Sequence, residues 1–218
     1  MNSAVIQLLV LAGIAIFLIL RLKSVLGTRE GFEKPPLAAP QKPSARSKFE
    51  VIEGGVDRDI TDHVPEGSPA AKALAAMKKA EPDFSVTDFL SGARSAYEMI
   101  LMAFESGDLE SVRRFLSDDV YAAFAEVVEA REKEGLKVDA NFIGVREIGL
   151  KDAQFDEGSR LGEITVKFVG ELTSVVRDRN GKIVEGNPNE AVRQKDIWTF
   201  ARKFGENDPN WQLVATGE

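Results

Sequence analysis

Few residues in this chain are of a type and spacing that could do chemistry. The single histidine, His63, stands between Asp62 and Val64, and the 218 residues contain no cysteine. One imidazole without a second histidine or a thiolate cannot assemble a transition-metal site, so His63 reads as an exposed linker residue. Asp57, Asp59 and Thr61 imitate the opening of a calcium loop, but Asp62 occupies the turn position that needs glycine. Gly144 to Gly149 has the spacing of a phosphate loop, yet Leu150 stands where the phosphate-reaching lysine belongs. Acid–base catalysis in an apolar cavity would need a buried carboxylate beside a tyrosine or histidine. Tyr97 and Tyr121 fall at core periodicity, with their hydroxyls expected at the rim, and the strand positions flanking Val166 and Trp198 are apolar or point outward. No catalytic residue, cofactor site or metal ligand is therefore assigned, and the chain reads as non-enzymatic. The lack of cysteine also removes disulfides, iron–sulfur ligation and thiol nucleophiles, and fits a reducing compartment.

Net charge is −7, and its distribution says more than its total. Arg21, Lys23, Arg29, Lys34, Lys42, Arg46 and Lys48 face only Glu30 and Glu33 in residues 21–48. The other 21 basic and 33 acidic side chains all fall in residues 49–218. An acidic body speaks against a nucleic-acid partner, which would need many cations to displace phosphate counterions. A basic strip next to an apolar segment suits anionic lipid.

That apolar segment runs from Ala4 to Leu20, 17 residues without a charge, and spans about 25 Å as a helix. This is the short end of a transmembrane span, extendable through Leu26 if Arg21 and Lys23 snorkel to the interface. Rival readings are a cleaved signal peptide and a buried core helix. A signal peptide carries its positive charge before the apolar run, whereas here the charge follows it. Residues 1–26 thus read as a single-pass anchor. Positive charge on its C-terminal side orients the chain N-out, with the body in the cytoplasm.

Residues 27–67, with Pro35, Pro36, Pro40, Pro43 and Pro65, read as a mostly disordered tether. Ser68 followed by Pro69 opens a short basic helix over residues 68–82, carrying Lys72, Lys78 and Lys79. With Arg21 and Lys23, these lysines are the candidate contacts to anionic lipid, unless the helix simply packs on its own domain.

The domain proper is expected over residues 83–218. Ser85 and Asp88 form a capping box, Phe84 and Phe89 a hydrophobic staple, and apolar residues recur at helical spacing to Ser106, where Gly107 stops the helix. Asp108 opens a short second helix through Leu116, and Ser117 or Asp118 a third, ended by Gly135. The period then changes to two. Strands are predicted around residues 141–155, 164–172, 195–203 and 211–215, with Asn180-Gly181 as the strongest hairpin signal. Helices followed by an antiparallel meander give an α+β class, three helices packed on one curved sheet.

The run Phe89-Leu90-Ser91-Gly92-Ala93-Arg94-Ser95-Ala96-Tyr97-Glu98-Met99-Ile100, then Ala103-Phe104, Gly107-Asp108 and Leu116 to Tyr121, resembles the C-terminal domain of the mitochondrial translocase subunit Tim-forty-four. Val184 to Pro188 and Asp196 to Arg202 resemble the bacterial members, called TimA. The resemblance covers residues 68–218. It implies a cone-shaped domain related to the nuclear-transport-factor-two-like fold, peripheral contact with anionic lipid, and a scaffold that tethers protein partners at a bacterial inner membrane. Its mitochondrial relatives carry a long N-terminal region in place of the anchor and tether, so membrane adaptor carries over and protein import does not.

A cone of this kind can hold a cavity. Phe89, Ala93, Tyr97, Ile100, Phe104, Val166, Phe168, Trp198 and Phe200 could line one that takes an acyl chain or an apolar peptide, or could fill the core outright. A solvent-open cavity above roughly 300 Å³ would favour the first.

Overall fold

A computed structural model describes residues 57–206 and 208–217. The expected anchor, with Arg21 and Lys23, and the spacer up to residue 56 lie outside these residues. Among the described residues no helix is long and apolar enough to cross a membrane.

Among the described residues four α-helices precede the sheet: α1 (Arg58–Thr61), α2 (Pro69–Ala80), α3 (Val86–Ser106) and α4 (Asp118–Glu134), with a 3-10 turn at Glu110–Phe115 before α4. Five strands follow: β1 (Lys137–Asp156), β2 (Leu161–Arg177), β3 (Ile183–Gly186), β4 (Val192–Lys203) and β5 (Gln212–Gly217). The sheet is antiparallel throughout, in order β1-β2-β4-β5, and β3 pairs with the far end of β2. The domain is α+β, helices on a five-stranded sheet. Three register shifts in β1 interrupt its pairing with β2, the device by which a long strand bends.

Helix starts follow the sequence closely. Ser68, Ser85 and Ser117 are N-caps whose hydroxyls accept from the amides of Ala71, Asp88 and Val120. Gly107 and Gly135 end α3 and α4 in the left-handed conformation. The second helix differs from expectation: it is a 3-10 turn without a side-chain cap, and Asp108 contributes its carbonyl to Ser111 instead. The Asn180-Gly181 hairpin is a longer loop than a two-residue turn, since Arg177 pairs with Ile183. The Asp178 carboxylate braces it by accepting from the amides of Asn180 and Lys182, and only Gly181 takes a positive φ, 80°.

Residues 57–67, within the stretch read as tether, are folded. Ile60 and Val64 are buried in the main core, and His63 is half-buried with Nε2 3.4 Å from Thr87 Oγ1, so it is not an exposed linker residue. The short strap reads as linker because its two anchors, although four residues apart, are isolated among polar residues and too few to make a periodic pattern. Helix α2 packs on the domain: Leu74 and Met77 are fully buried, each worth about 1.5–3 kcal/mol in transfer free energy.

Candidate functional site

Side chains fill the centre of the domain. Eight of the nine residues predicted to line a cavity are buried and fill the space themselves. Tyr97 stacks flat on Phe168 with centroids 4.5 Å apart, and Trp198 and Phe200 close around them. Phe104 departs from the group, half-buried against Phe124 of α4 at 4.7 Å. The inner faces of β2 and β4 are less uniformly apolar than their sequence suggests. Asp196 points inward and is buried, and Tyr97 Oη donates to its Oδ2 at 2.6 Å while Gln194 donates to Oδ1 at 3.0 Å. Burial, followed by the hydrogen bond to this carboxylate, pushes the Tyr97 phenol well above its ordinary range. Its hydroxyl is therefore a core group, not a rim group. The parity was legible, since Asp196 lies two and four residues before the inward Trp198 and Phe200. Its partner lies 99 residues away in α3.

Open space lies at the edge of that core. A cleft of about 430 Å³ runs between the first turns of α3, the turn before it, the 3-10 turn and the loop entering β5. Phe84, Phe89, Phe115, Phe200 and Trp211 supply an aromatic floor, and Gly92, Ala93 and Ala96 give α3 a low wall. Three of the predicted lining residues, Phe89, Ala93 and Phe200, are thus on a cleft after all. Phe89 sits edge-on to Trp211 at 4.7 Å and to Phe200 at 6.0 Å, which fixes the floor.

Polar groups ring this cleft unevenly. Glu81, Asp83 and Asp88 stand on one side. Arg202 is nine-tenths buried, donates to Glu81 Oε1 at 2.9 Å and lies over the rings of Phe204 and Trp211 at 4.3 and 5.4 Å. Its Nε is buried and has no hydrogen-bond partner among the described residues. An aromatic floor with a carboxylate rim suits an apolar group flanked by polar or cationic groups. Another cleft, of about 510 Å³, lies at the C-terminal ends of α3 and α4. Its two guanidiniums are committed to helix carbonyls, Arg131 to Phe104 and Arg179 to Lys133, so they serve there as caps. Burial holds the half-buried Glu105 carboxyl between them above its usual range, against the opposing pull of Arg131.

Of the lysines proposed for lipid contact, Lys72 and Lys79 are exposed on α2. Lys78 is drawn inward, with Nζ 2.8 Å from Asp57 Oδ2 and 2.7 Å from Asp59 Oδ2. The same Asp59 carboxylate accepts from the amides of Val86 (2.8 Å) and Thr87 (2.9 Å) and from the Ser85 hydroxyl (3.2 Å). It closes the start of α3, where orphan amides and the helix dipole favour an anion. Burial raises the Asp59 carboxyl, but the Lys78 ion pair and these hydrogen bonds outweigh it and hold the group well below the carboxylate range.

Residues 70–218 match the profile of the Tim44-like domain family. Mitochondrial import inner membrane translocase subunit TIM44 of Homo sapiens is 22% identical over 147 residues, 66% of this chain and 32% of the relative. Subunit TIM44-1 of Arabidopsis thaliana is 23% identical over 162 residues, 72% of this chain and 34% of the relative. The probable subunit tin-44 of Caenorhabditis elegans is 23% identical over 164 residues, 73% and 38% of the two chains. The chain therefore spans about a third of the length of the curated relatives it matches. Among solved structures, the intermembrane space region of the chloroplast protein ARC6 aligns with a TM-score of 0.38 at 10% identity, over 59% of this chain and 94% of that one.

Proposed function

Since the chain belongs to the Tim44-like domain family, we propose that it is a membrane-anchored adaptor whose folded domain holds protein partners at the cytoplasmic face of a bacterial inner membrane. In this reading residues 1–26 span the bilayer N-out, the following segment gives reach, and the cone-like domain from residue 57 presents the aromatic cleft. The cleft is the observation that carries it. Five aromatic side chains, from the turn before α3, α3 itself, the 3-10 turn, β4 and the loop entering β5, converge on one open concavity, whereas the buried phenol–carboxylate pair Tyr97–Asp196 is sealed among rings where no substrate reaches it. An adaptor needs the first arrangement, and a cavity enzyme would need the second to be open.

Relatives named as subunits of an inner-membrane import translocase support protein partners, in translocation or in membrane-protein biogenesis and quality control. Contact of the exposed Lys72 and Lys79 with anionic lipid belongs to the same reading. A second reading, an acyl chain in the cleft, rests on its apolar floor, but the rim of Glu81, Asp83 and Asp88 favours peptide over an anionic headgroup.

The test is site-specific photo-crosslinking in intact membranes. A benzophenone amino acid in place of Phe115 or Asn210, both on the cleft, should capture discrete proteins, and one in place of Thr199 on the outer sheet face should not. Capture of lipid alone from the cleft positions sinks the adaptor reading and leaves the lipid one.

A further inference from the structure

We propose that residues 57–64 are a releasable clasp on the aromatic cleft, so that whatever disengages the strap loosens the Phe84–Ser85 wall, and whatever fills the cleft disengages the strap. This rests on the reading of the cleft as the binding site. The strap enters the core only through Ile60 and Val64. Its polar anchorage runs to α2 through Lys78, which pairs with Asp57 and Asp59, and to the start of α3 through His63, 3.4 Å from Thr87 Oγ1, and above all through the Asp59 carboxylate. Asp59 satisfies the amides of Val86 and Thr87, the first two helical donors, and also takes the Ser85 hydroxyl. Ser85 in turn satisfies Asp88, the third donor, and both Ser85 and Asp88 line the cleft. Strap and cleft therefore share one set of hydrogen bonds.

Two further features make this contact separable from the body of the fold. The match to the family domain starts at residue 70, so the strap lies outside it, and helix α3 carries its own serine cap. Lys78, which locks Asp57 and Asp59 from α2, keeps 21% of its side chain exposed, against 22% for Asp59 and 45% for Asp57, so water still reaches both ion pairs. Loss of the strap leaves the sheet, its register and the Tyr97 cluster untouched, and leaves the first turn of α3 with two unsatisfied amides, the condition under which a helix end frays. Phe84 and Phe89, on either side of that turn, are the cleft residues that fraying moves. Coupling of this kind is reciprocal: a group wedged in the cleft weakens the strap by the factor by which the strap weakens its entry.

Hydrogen exchange and thiol labelling on the full chain test this. Because the chain has no cysteine, Ala96→Cys places one thiol on the cleft wall. Asp59→Asn and, independently, Lys78→Gln should speed exchange at residues 86–88 about tenfold, leave β2 and β4 unchanged, and raise the maleimide labelling rate of Ala96→Cys. In the chain with an intact strap, the bulky adduct at that cysteine should speed exchange at residues 57–64 and 86–88. Unchanged exchange at 86–88, an equal increase through β2 and β4, or faster exchange without faster labelling would each overturn the clasp. Failure of cleft crosslinking alone removes the partner reading and leaves the exchange result standing.

Discussion

Gly170 and Tyr97 should be energetically inseparable. A Cβ on Gly170 would sit 2.6 Å from Tyr97 Oη and 3.0 Å from its ring carbon Cε1, inside van der Waals distance of a side chain locked against Phe168 and bound to Asp196. Gly170→Ala must then push the phenol away, losing the bond to a buried carboxylate at about 1.5–3 kcal/mol and adding overpacking strain of about 1–3 kcal/mol. Less conformational freedom in the unfolded chain returns about 0.5–1 kcal/mol, for a net loss of about 2–5 kcal/mol. Tyr97→Phe removes the oxygen and the bond alone, at about 2 kcal/mol. In the Tyr97→Phe background the nearest obstacle is gone and the bond is already lost, so adding Gly170→Ala should cost only about 1 kcal/mol more, a coupling of roughly 1–4 kcal/mol. Urea denaturation of the two single variants and the double variant, followed by near-ultraviolet circular dichroism of the two tryptophans, measures the cycle. Additive losses would refute the claim that Gly170 is glycine to make room for the Tyr97 hydroxyl.

Leu74→Ala or Met77→Ala should cost about 2–5 kcal/mol in the same denaturation assay, because both side chains are fully buried under α2; a neutral result would mean that α2 does not pack on the domain. Glu171, gripped on the outer sheet face by Arg146 of β1 and Arg193 of β4, is held below the usual carboxylate range by those two guanidiniums. Its contribution is complete above the unfolded carboxylate range, about pH 4, and is lost as pH falls below it, so Glu171→Gln should raise the pH at which acid unfolding begins. Changing both exposed lysines, Lys72→Glu and Lys79→Glu, should leave thermal stability within about 0.5 kcal/mol of the parent while reducing flotation with anionic vesicles at low salt; unchanged flotation would remove α2 from the lipid contact.

Helix starts and stops were legible because they are local. Each depends on a serine or glycine within four residues of the amide or carbonyl it satisfies, as Ser68, Ser117, Gly107 and Gly135 demonstrate. Strands β1, β2 and β4 were legible in their middles but not at their ends: β1 starts at Lys137, earlier than its alternation shows, because pairing with residues 173–177 of β2 extends the ladder past the helices. The cleft could not be read in this way. Phe115, Phe200 and Trp211 meet the Phe84–Phe89 staple only through tertiary structure, and no spacing links them to it. Asp57 and Asp59 show a different failure. Their spacing was measured against a calcium loop, and the cation that answers them is Lys78, about twenty residues on and one helix away.

The pH behaviour of that contact separates the clasp from the core. The Asp59 carboxyl, low in the folded state, contributes fully above about pH 4 and less as pH falls toward its folded value. Lys78 is raised: burial lowers it, but its two aspartates outweigh that cost, so its contribution is complete below about pH 10 and is lost above. The strap should therefore be engaged across the whole neutral range and detach at either extreme. Tyr97 is also raised, so its hydroxyl stays protonated and bonded to Asp196 through alkaline pH at which Lys78 begins to lose its proton. Raising the pH through the lysine range should thus accelerate exchange at residues 57–64 and 86–88, relative to the intrinsic rate, before it accelerates exchange in β2 and β4. Simultaneous loss of protection in all four segments would mean that strap and core are one cooperative unit, and a strap that cannot leave without unfolding the domain could not serve as a clasp.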